Sequence, residues 1–192
     1  QGLQAVPSDA AHEVATAAVP YGARKSYAIP LAEMFGFAFL LNQVNRHTDG
    51  TDFDSNLSTI RRNLHSSWVV DRDPFEVNQL GHPYQGSMYH AFARSAGLNY
   101  WESLGYAFAG SALWEIAGEN SLPSRNDQIN TGIGGSFLGE ILFRLANLTL
   151  SHDNLPPFWR ETAAGLISPS TAFNRPAFGD RFKGLFPANH PV

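Results

Sequence analysis

The chain has 192 residues, 43% of them hydrophobic and only 16% charged, and its net charge is −4 from 13 Lys+Arg against 17 Asp+Glu. One compact domain with a sizeable core fits that length, and a charged share well under the usual quarter or so favours a chain with large buried or lipid-adjacent surface over a disordered one. No basic block stands out, so a nucleic-acid partner is not expected.

There is no cysteine, which removes disulfides, Cys-ligated zinc, iron–sulfur sites and a thiol nucleophile. The chain begins at Gln1, as a trimmed sequence or one that has lost a leader would. Its longest apolar run, residues 34–41, is far short of the roughly 20 residues that cross a bilayer. No transmembrane helix is expected, and peripheral contact with lipid stays open.

Residues 1–29 are Ala-, Pro-, Gly- and Ser-rich with little periodicity. They predict an extended arm carrying a short helix over 8–18, with Ser8 as cap and Pro20 as its end. Pro30 suits the first position of a helix over 31–46. Apolar residues cover nearly the whole circumference of that segment, which predicts a buried helix. Thr48-Asp49-Gly50 signals a turn. Asp54 or Ser55 can cap a second helix to about Ser66, with Leu57, Ile60 and Leu64 as its apolar face and Arg61 and Arg62 turned to water.

Pro74 predicts extended backbone at Asp73, followed by one helical turn over 75–80 that Gly81 breaks. A helix restarts at Pro83 and runs to Ala96, with Gly97 in the left-handed position after its end. Asn99 and Glu102 have the spacing of a capping box for a helix to about Gly118. Residues 120–130 read as a polar loop. Thr131 can cap a third helix to about Leu150. Gly132, Gly134, Gly135 and Gly139 near its start cost about 1 kcal/mol each relative to alanine, so they predict close packing or the approach of another group. A glycine-rich helix start can also bind an anion, although no Gly-Lys-Ser/Thr of a Walker loop follows. Pro156 and Pro157 open a helix over 158–167, and after Pro169 a Phe- and Pro-rich tail should wrap the surface. No segment alternates cleanly enough for a strand. The fold expected is all-α, a single bundle of about six helices over residues 30–192.

Polar residues fall on the apolar stripes of this bundle. Leu104, Phe108, Ser111, Glu115 and Glu119 recur at near four-residue steps, so an apolar stripe ends in two carboxylates. Buried carboxylates must be paired, metal-bound, protonated or near water. Three readings stay open: an exposed helix end, a structural network with Arg94 or Arg125, or a catalytic or metal role. His82 and His90 could join them as mixed nitrogen and oxygen ligands, but no His-Glu-x-x-His or Glu-x-x-His spacing is present. Asp127 with a histidine and Ser87, Ser111 or Ser124 could build a Ser–His–Asp row, without any Gly-x-Ser-x-Gly elbow. Glu140 and Arg144 have the order of an ordinary helix ion pair. The catalytic candidates are therefore His82, Glu115, Glu119 and Asp127. The binding candidates are Tyr84, Gln85, Arg94, Ser111, Ser124, Asn126, Gly134 and Gly135. No metal is assigned and no cofactor is expected.

Several of these residues belong to longer motifs: Trp68…Asp71-Arg72-Asp73, Asn78-Gln79-Leu80-Gly81-His82-Pro83-Tyr84-Gln85-Gly86, Ala93-Arg94-Ser95, Ser111…Trp114-Glu115…Glu119, Pro123-Ser124-x-Asn126-Asp127, Gly134-Gly135…Gly139-Glu140 and Pro169…Phe173-Asn174-Arg175. Over residues 69–179 the chain resembles a bacterial family known as a domain of unknown function, family 3943. That resemblance implies an exported Gram-negative envelope protein, facing the periplasm or associated with the outer membrane. It does not extend to the β-rich region of some relatives, and so not to a barrel. A fainter similarity links the chain to small membrane-associated helical families with a Glu, then an Asn-Asp or Asp, then a Gly-rich helix, and it is analogy only. Two functions remain: a protein that packs against lipid or an outer-membrane partner, or an envelope hydrolase acting on lipid or glycan with a carboxylate as base and His82 as acid or ligand.

Overall fold

A computed structural model describes residues 25–48, 50–152 and 154–178. The helix expected over residues 8–18 lies outside them, as do Phe182 and Phe186 of the tail. Among the described residues the fold is all-α. The sole β feature there is an isolated parallel bridge between Val69 and Ser124, fastened by Val69 N–H to Pro123 O at 2.9 Å and Arg125 N–H to Val69 O at 2.8 Å.

The helices are α1 (Ala28–Thr48), α2 (Leu57–His65), α3 (His82–Ser95), α4 (Tyr100–Leu113), α5 (Arg125–Ile129), α6 (Gly135–Leu150), α7 (Pro157–Ile167) and α8 (Pro169–Ala177). Three wide π turns join this scheme. Val77–Gly81 runs into α3, Trp114–Gly118 extends α4, and Asn130–Gly134 links α5 to α6. The bundle is built around α3, which is buried on almost every side. Helices α6 and α4 take most of its surface, and α8 and α1 cover much of the rest.

Several local expectations hold. Gly97 has φ +90°. Asn99 and Glu102 form the capping box, with Glu102 N–H to Asn99 Oδ1 at 2.9 Å and Asn99 N–H to Glu102 Oε2 at 2.7 Å. The glycine-rich stretch packs closely. A Cβ on Gly86 would lie 1.9 Å from the Thr131 carbonyl oxygen, and one on Gly135 would lie 2.5 Å from Gly86 Cα. Bare backbone on both partners lets α3 and α6 touch, as small residues do wherever helices cross closely.

Other expectations are corrected. Gly81 does not break the chain: the π turn carries the helix through into α3, whose Pro83 has no N–H to place. Thr131 is not a cap. Ser124 is, accepting from Asp127 N–H at 3.3 Å, and Thr131 sits inside the following π turn. The cap of α2 is Asn56 rather than Asp54 or Ser55. The chain after Pro169 is helical to Ala177.

The largest correction concerns which faces are inside. Helix α1 is not buried: Phe35, Phe39, Leu40 and Val44 are exposed, and its buried residues are Pro30, Met34, Ala38 and Asn42. In α2 Arg61 and Arg62 face outward as expected and Ile60 is half-buried, but Leu57 and Leu64 are 86% and 61% exposed and the most buried position is Asn63, at 1%. The pattern repeats in α6, where Ser136 is buried and Phe137 is 61% exposed, and in α8, where Asn174 is buried and Phe173 is not. Hydrogen bonding explains what the interior selects. Asn42 Nδ2 donates to Gly118 O at 2.7 Å, Asn63 Nδ2 to Glu115 O at 3.3 Å and Asn174 Nδ2 to Ser95 Oγ at 2.6 Å.

Candidate functional site

The three π turns meet at one end of the bundle. Val77–Gly81 delivers His82, Trp114–Gly118 contains Glu115, and Asn130–Gly134 contains Thr131. Wide turns inside helices re-aim side chains and recur at functional sites. The fourth contribution comes from the strap 71–73, held against the start of α5 by the Val69–Ser124 bridge.

His82 is buried among these elements. Its Nδ1 lies 3.2 Å from the Thr131 hydroxyl, and its Nε2 lies 3.4 Å from Asp127 Oδ1 without a hydrogen bond to any group. Burial pushes the imidazole pKa down, against the raising effect of Asp71. Asn126 ties the carboxylates together. Its Nδ2 reaches Asp71 Oδ1 at 2.7 Å, Asn78 Oδ1 at 3.0 Å and Asp127 Oδ1 at 3.1 Å, while its Oδ1 accepts from Ser124 Oγ at 2.8 Å and Asp71 N–H at 3.1 Å.

The carboxylates are driven apart in acidity. Burial raises Asp127, the hydrogen bond shared with Asp71 adds to it, and the group reaches about 8. Burial also acts on Asp71, but hydrogen bonds from Asp127, Asn126 and Ser124 outweigh it and bring that carboxyl down to about 2. Glu115 is raised to about 9, by burial first and then by the charge of Glu119. Its Oε2 accepts from Ser124 N–H at 2.7 Å, and its Oε1 is buried without a partner. Glu119 is also raised, chiefly by burial, and it accepts from Trp114 Nε1 at 2.6 Å and Ser121 Oγ at 2.9 Å. A set of neighbouring acids with separated pKa values is the arrangement acid–base chemistry uses.

Eight of the twelve expected residues fall into two neighbouring groups. His82, Glu115, Ser124, Asn126 and Asp127 share this junction. Glu119, Tyr84 and Gln85 border an adjoining cavity of about 410 Å³, along with His82, Phe37 and Trp114. Gln85 also donates to Tyr89 OH at 2.9 Å. Ser111 is buried with an unpartnered hydroxyl. Among the described residues no serine hydrogen-bonds His82, which stands instead between the Thr131 hydroxyl and Asp127 Oδ1.

Arg94 and His90 belong elsewhere. Arg94 Nε donates to Glu140 Oε2 at 2.8 Å, and His90 Nε2 lies 3.2 Å from the same oxygen. Neither pairs with Glu115 or Glu119. Gly134 and Gly135 lie within one continuous helical run, so their N–H groups are not the open donors of a helix start. Gly135 is a packing residue against Gly86, and the anion-binding reading falls with the cap at Thr131. Asp71, Asp73, Asn78 and Thr131 also line the junction, although the sequence marks none of them as a site candidate. The Pro74 signal placed Asp73 in a loop without indicating what that loop packs against.

A family model described as "Domain of unknown function (DUF3943)" matches residues 67–170, more than half of the chain. The protein belongs to this family. Every residue of the junction just described falls within the match. Phe173-Asn174-Arg175, quoted above for the resemblance, lies beyond it. No curated protein and no solved structure matches the chain.

Proposed function

We propose that this family member works in the bacterial envelope, periplasmic or outer-membrane-associated, with its helical surface packed against lipid or against an outer-membrane protein. The observation that carries this reading is the inverted burial of α1, α2, α6 and α8. Each exposes large apolar side chains and turns at least one Asn, Ser or Thr inward, alongside the buried Met34 of α1 and Phe143 and Leu150 of α6. Helices that pack in lipid place small and polar residues between them and apolar ones outside, and exposed apolar patches of this kind mark interaction surfaces. On α1 the exposed residues from Leu31 to Val44 extend roughly 20 Å at 1.5 Å per residue. That is less than the roughly 30 Å hydrocarbon thickness of a bilayer. No helix among the described residues is long and apolar enough to cross a membrane, so the reading is of a surface or part-inserted protein.

The test is flotation with vesicles of phosphatidylethanolamine and phosphatidylglycerol, together with size-exclusion behaviour with and without detergent. The expected result is co-flotation, and self-association when detergent is withdrawn. A detergent-free monomer that stays at the bottom of the gradient would end this reading.

A second reading, an envelope hydrolase acting on lipid or glycan, is favoured by one specific observation. His82 and Glu119 border the same 410 Å³ cavity, and Asp127 stands 3.4 Å behind the imidazole. In that reading a carboxylate, Glu119, is the base at the cavity and His82 is the acid or ligand, the minimum such chemistry needs. Turnover of a phospholipid or glycan ester that is lost in both Glu119→Gln and His82→Gln would support it. Absence of any turnover by the wild-type chain would count against it.

A further inference from the structure

We infer that Asp73, His82 and Asp127 form a binding site for one divalent transition-metal ion of the zinc or manganese class. The site stands on its own geometry and does not depend on what covers the apolar surface. One ligand atom from each residue can be chosen so that all lie within 4.8 Å of one another. Two donors on one tetrahedral ion sit about 3.4 Å apart, from bond lengths near 2.1 Å. The cluster is thus slightly open, and its exposed member, Asp73, is free to swing inward and close it.

An independent observation is the state of the imidazole. His82 is 97% buried by its 3% exposure, yet its Nε2 has no hydrogen-bond partner and points at Asp127 Oδ1 from 3.4 Å. The other ring nitrogen faces the Thr131 hydroxyl at 3.2 Å. If Nδ1 carries the proton and donates to Thr131, Nε2 presents a bare lone pair to a carboxylate oxygen. With Asp127 ionised, as a bound cation would hold it, Nε2 and Oδ1 become two acceptors facing each other inside the protein, and a cation between them relieves that pairing. A histidine whose second nitrogen donates to an oxygen is also the usual form of a metal-bound imidazole.

The chemistry of the donors sets the class of ion. One imidazole nitrogen with two carboxylate oxygens suits zinc, iron or manganese better than calcium, which prefers all-oxygen shells. Asn126 supplies the outer support by donating to Asp127 Oδ1 at 3.1 Å and to Asp71 Oδ1 at 2.7 Å. Asp73 gives an entry path from solvent, and three protein donors leave at least one coordination position for water or an added ligand, the pattern of an open metal site.

The full chain, stripped with EDTA, is titrated with Zn²⁺ and separately with Mn²⁺ by calorimetry, with bound metal counted by mass spectrometry. Co²⁺ loading reports the ligand set through its visible absorption bands. One ion per chain is expected. Asp73→Asn should weaken binding at least tenfold, and its exposed position keeps the fold intact. Asp127→Asn should remove binding, and Asp54→Asn, an exposed acid elsewhere, should leave it unchanged. Failure to bind either ion stoichiometrically overturns the proposal, as does binding of undiminished affinity in Asp73→Asn.

Discussion

The imidazole Nδ1 of His82 and the hydroxyl of Thr131, 49 positions apart in sequence, meet at 3.2 Å because Gly86, one turn beyond His82, lets the two backbones touch. A Cβ on Gly86 would stand 1.9 Å from the Thr131 carbonyl oxygen, a backbone atom that cannot turn aside. Gly86→Ala should therefore separate α3 from the Asn130–Gly134 turn. The expected loss is at the upper end of the 1–3 kcal/mol or so typical of overpacking. Gly105→Ala is the matched control, since nothing lies within 4 Å of its Cβ. In a helix interior it should gain about 0.5–1 kcal/mol. Urea denaturation of the two variants reads both signs, and equal effects would contradict the close crossing.

Glu115 makes stability depend on pH. A glutamate in the unfolded chain loses its proton near 4.5, whereas Glu115 in the fold keeps it to about 9. Between those values the folded state holds a proton that the unfolded state has lost, so stability falls as pH rises through this window. Asp127, raised from 3.8 to about 8, contributes with the same sign. The melting temperature should decline from about pH 5 to about pH 9. Glu115→Gln keeps an acceptor for Ser124 N–H and removes the ionisation, so its melting curve should be flatter and its melting temperature higher than wild type at the alkaline end. About 1 kcal/mol corresponds to roughly 2–4 °C at this size.

Glu140 has the opposite dependence. Burial works against its ionisation, but the hydrogen bond with His90, the Arg94 charge and the bond from Arg144 prevail and hold it at about 2. Its contribution is fully present above the unfolded value near 4.5 and is lost as pH falls towards about 2. Glu140→Gln removes the carboxylate that balances the Arg94 guanidinium, whose side chain is 5% exposed. The expected cost is about 3–5 kcal/mol, the range for breaking one side of a buried pair. Arg144→Ala removes only the more exposed partner and should cost under about 1 kcal/mol. Guanidinium melts of the two variants at neutral pH measure the contrast.

What the sequence made legible was local. Asn99 with Glu102, Gly97 after a helix end and Pro157 at a helix start each act through near neighbours, and each was found where its chemistry placed it. The all-α class followed from the same kind of reasoning. The interior did not, because periodicity identifies an apolar face and then assumes that this face is buried. In α2 the stripe of Leu57 and Leu64 is real, but Asn63 reaches the carbonyl oxygens of Glu115 and Ile116, and that hydrogen bonding decides the orientation. The junction around His82 was partly visible through Glu115, Asn126 and Asp127. Asp71 and Asp73 join it through the Val69–Ser124 bridge and the hydrogen bonds between Asp71 and Asn126, long-range contacts with no spacing signature. Thr131 looked like a cap because the π turn that carries it has no distinct periodicity.

The outward apolar faces lead to a last prediction, in which function and stability separate. Phe39 is 63% exposed and Leu145 45% exposed, and neither side chain fills the core. A charge at either position should leave the fold nearly unchanged, since surface substitutions away from special features usually fall within about 0.5 kcal/mol. If these residues enter lipid, removing one buried Phe or Leu forfeits about 1.5–3 kcal/mol of transfer free energy, and the added charge carries its own cost in hydrocarbon. Phe39→Asp and Leu145→Asp should each lower vesicle association by about tenfold or more, while their circular dichroism and melting temperature stay at wild-type values. Ser151→Asp, at the exposed cap position just after α6, is the control and should change association little. Equal vesicle binding by all of these variants would mean that the exposed stripes on α1 and α6 do not meet lipid.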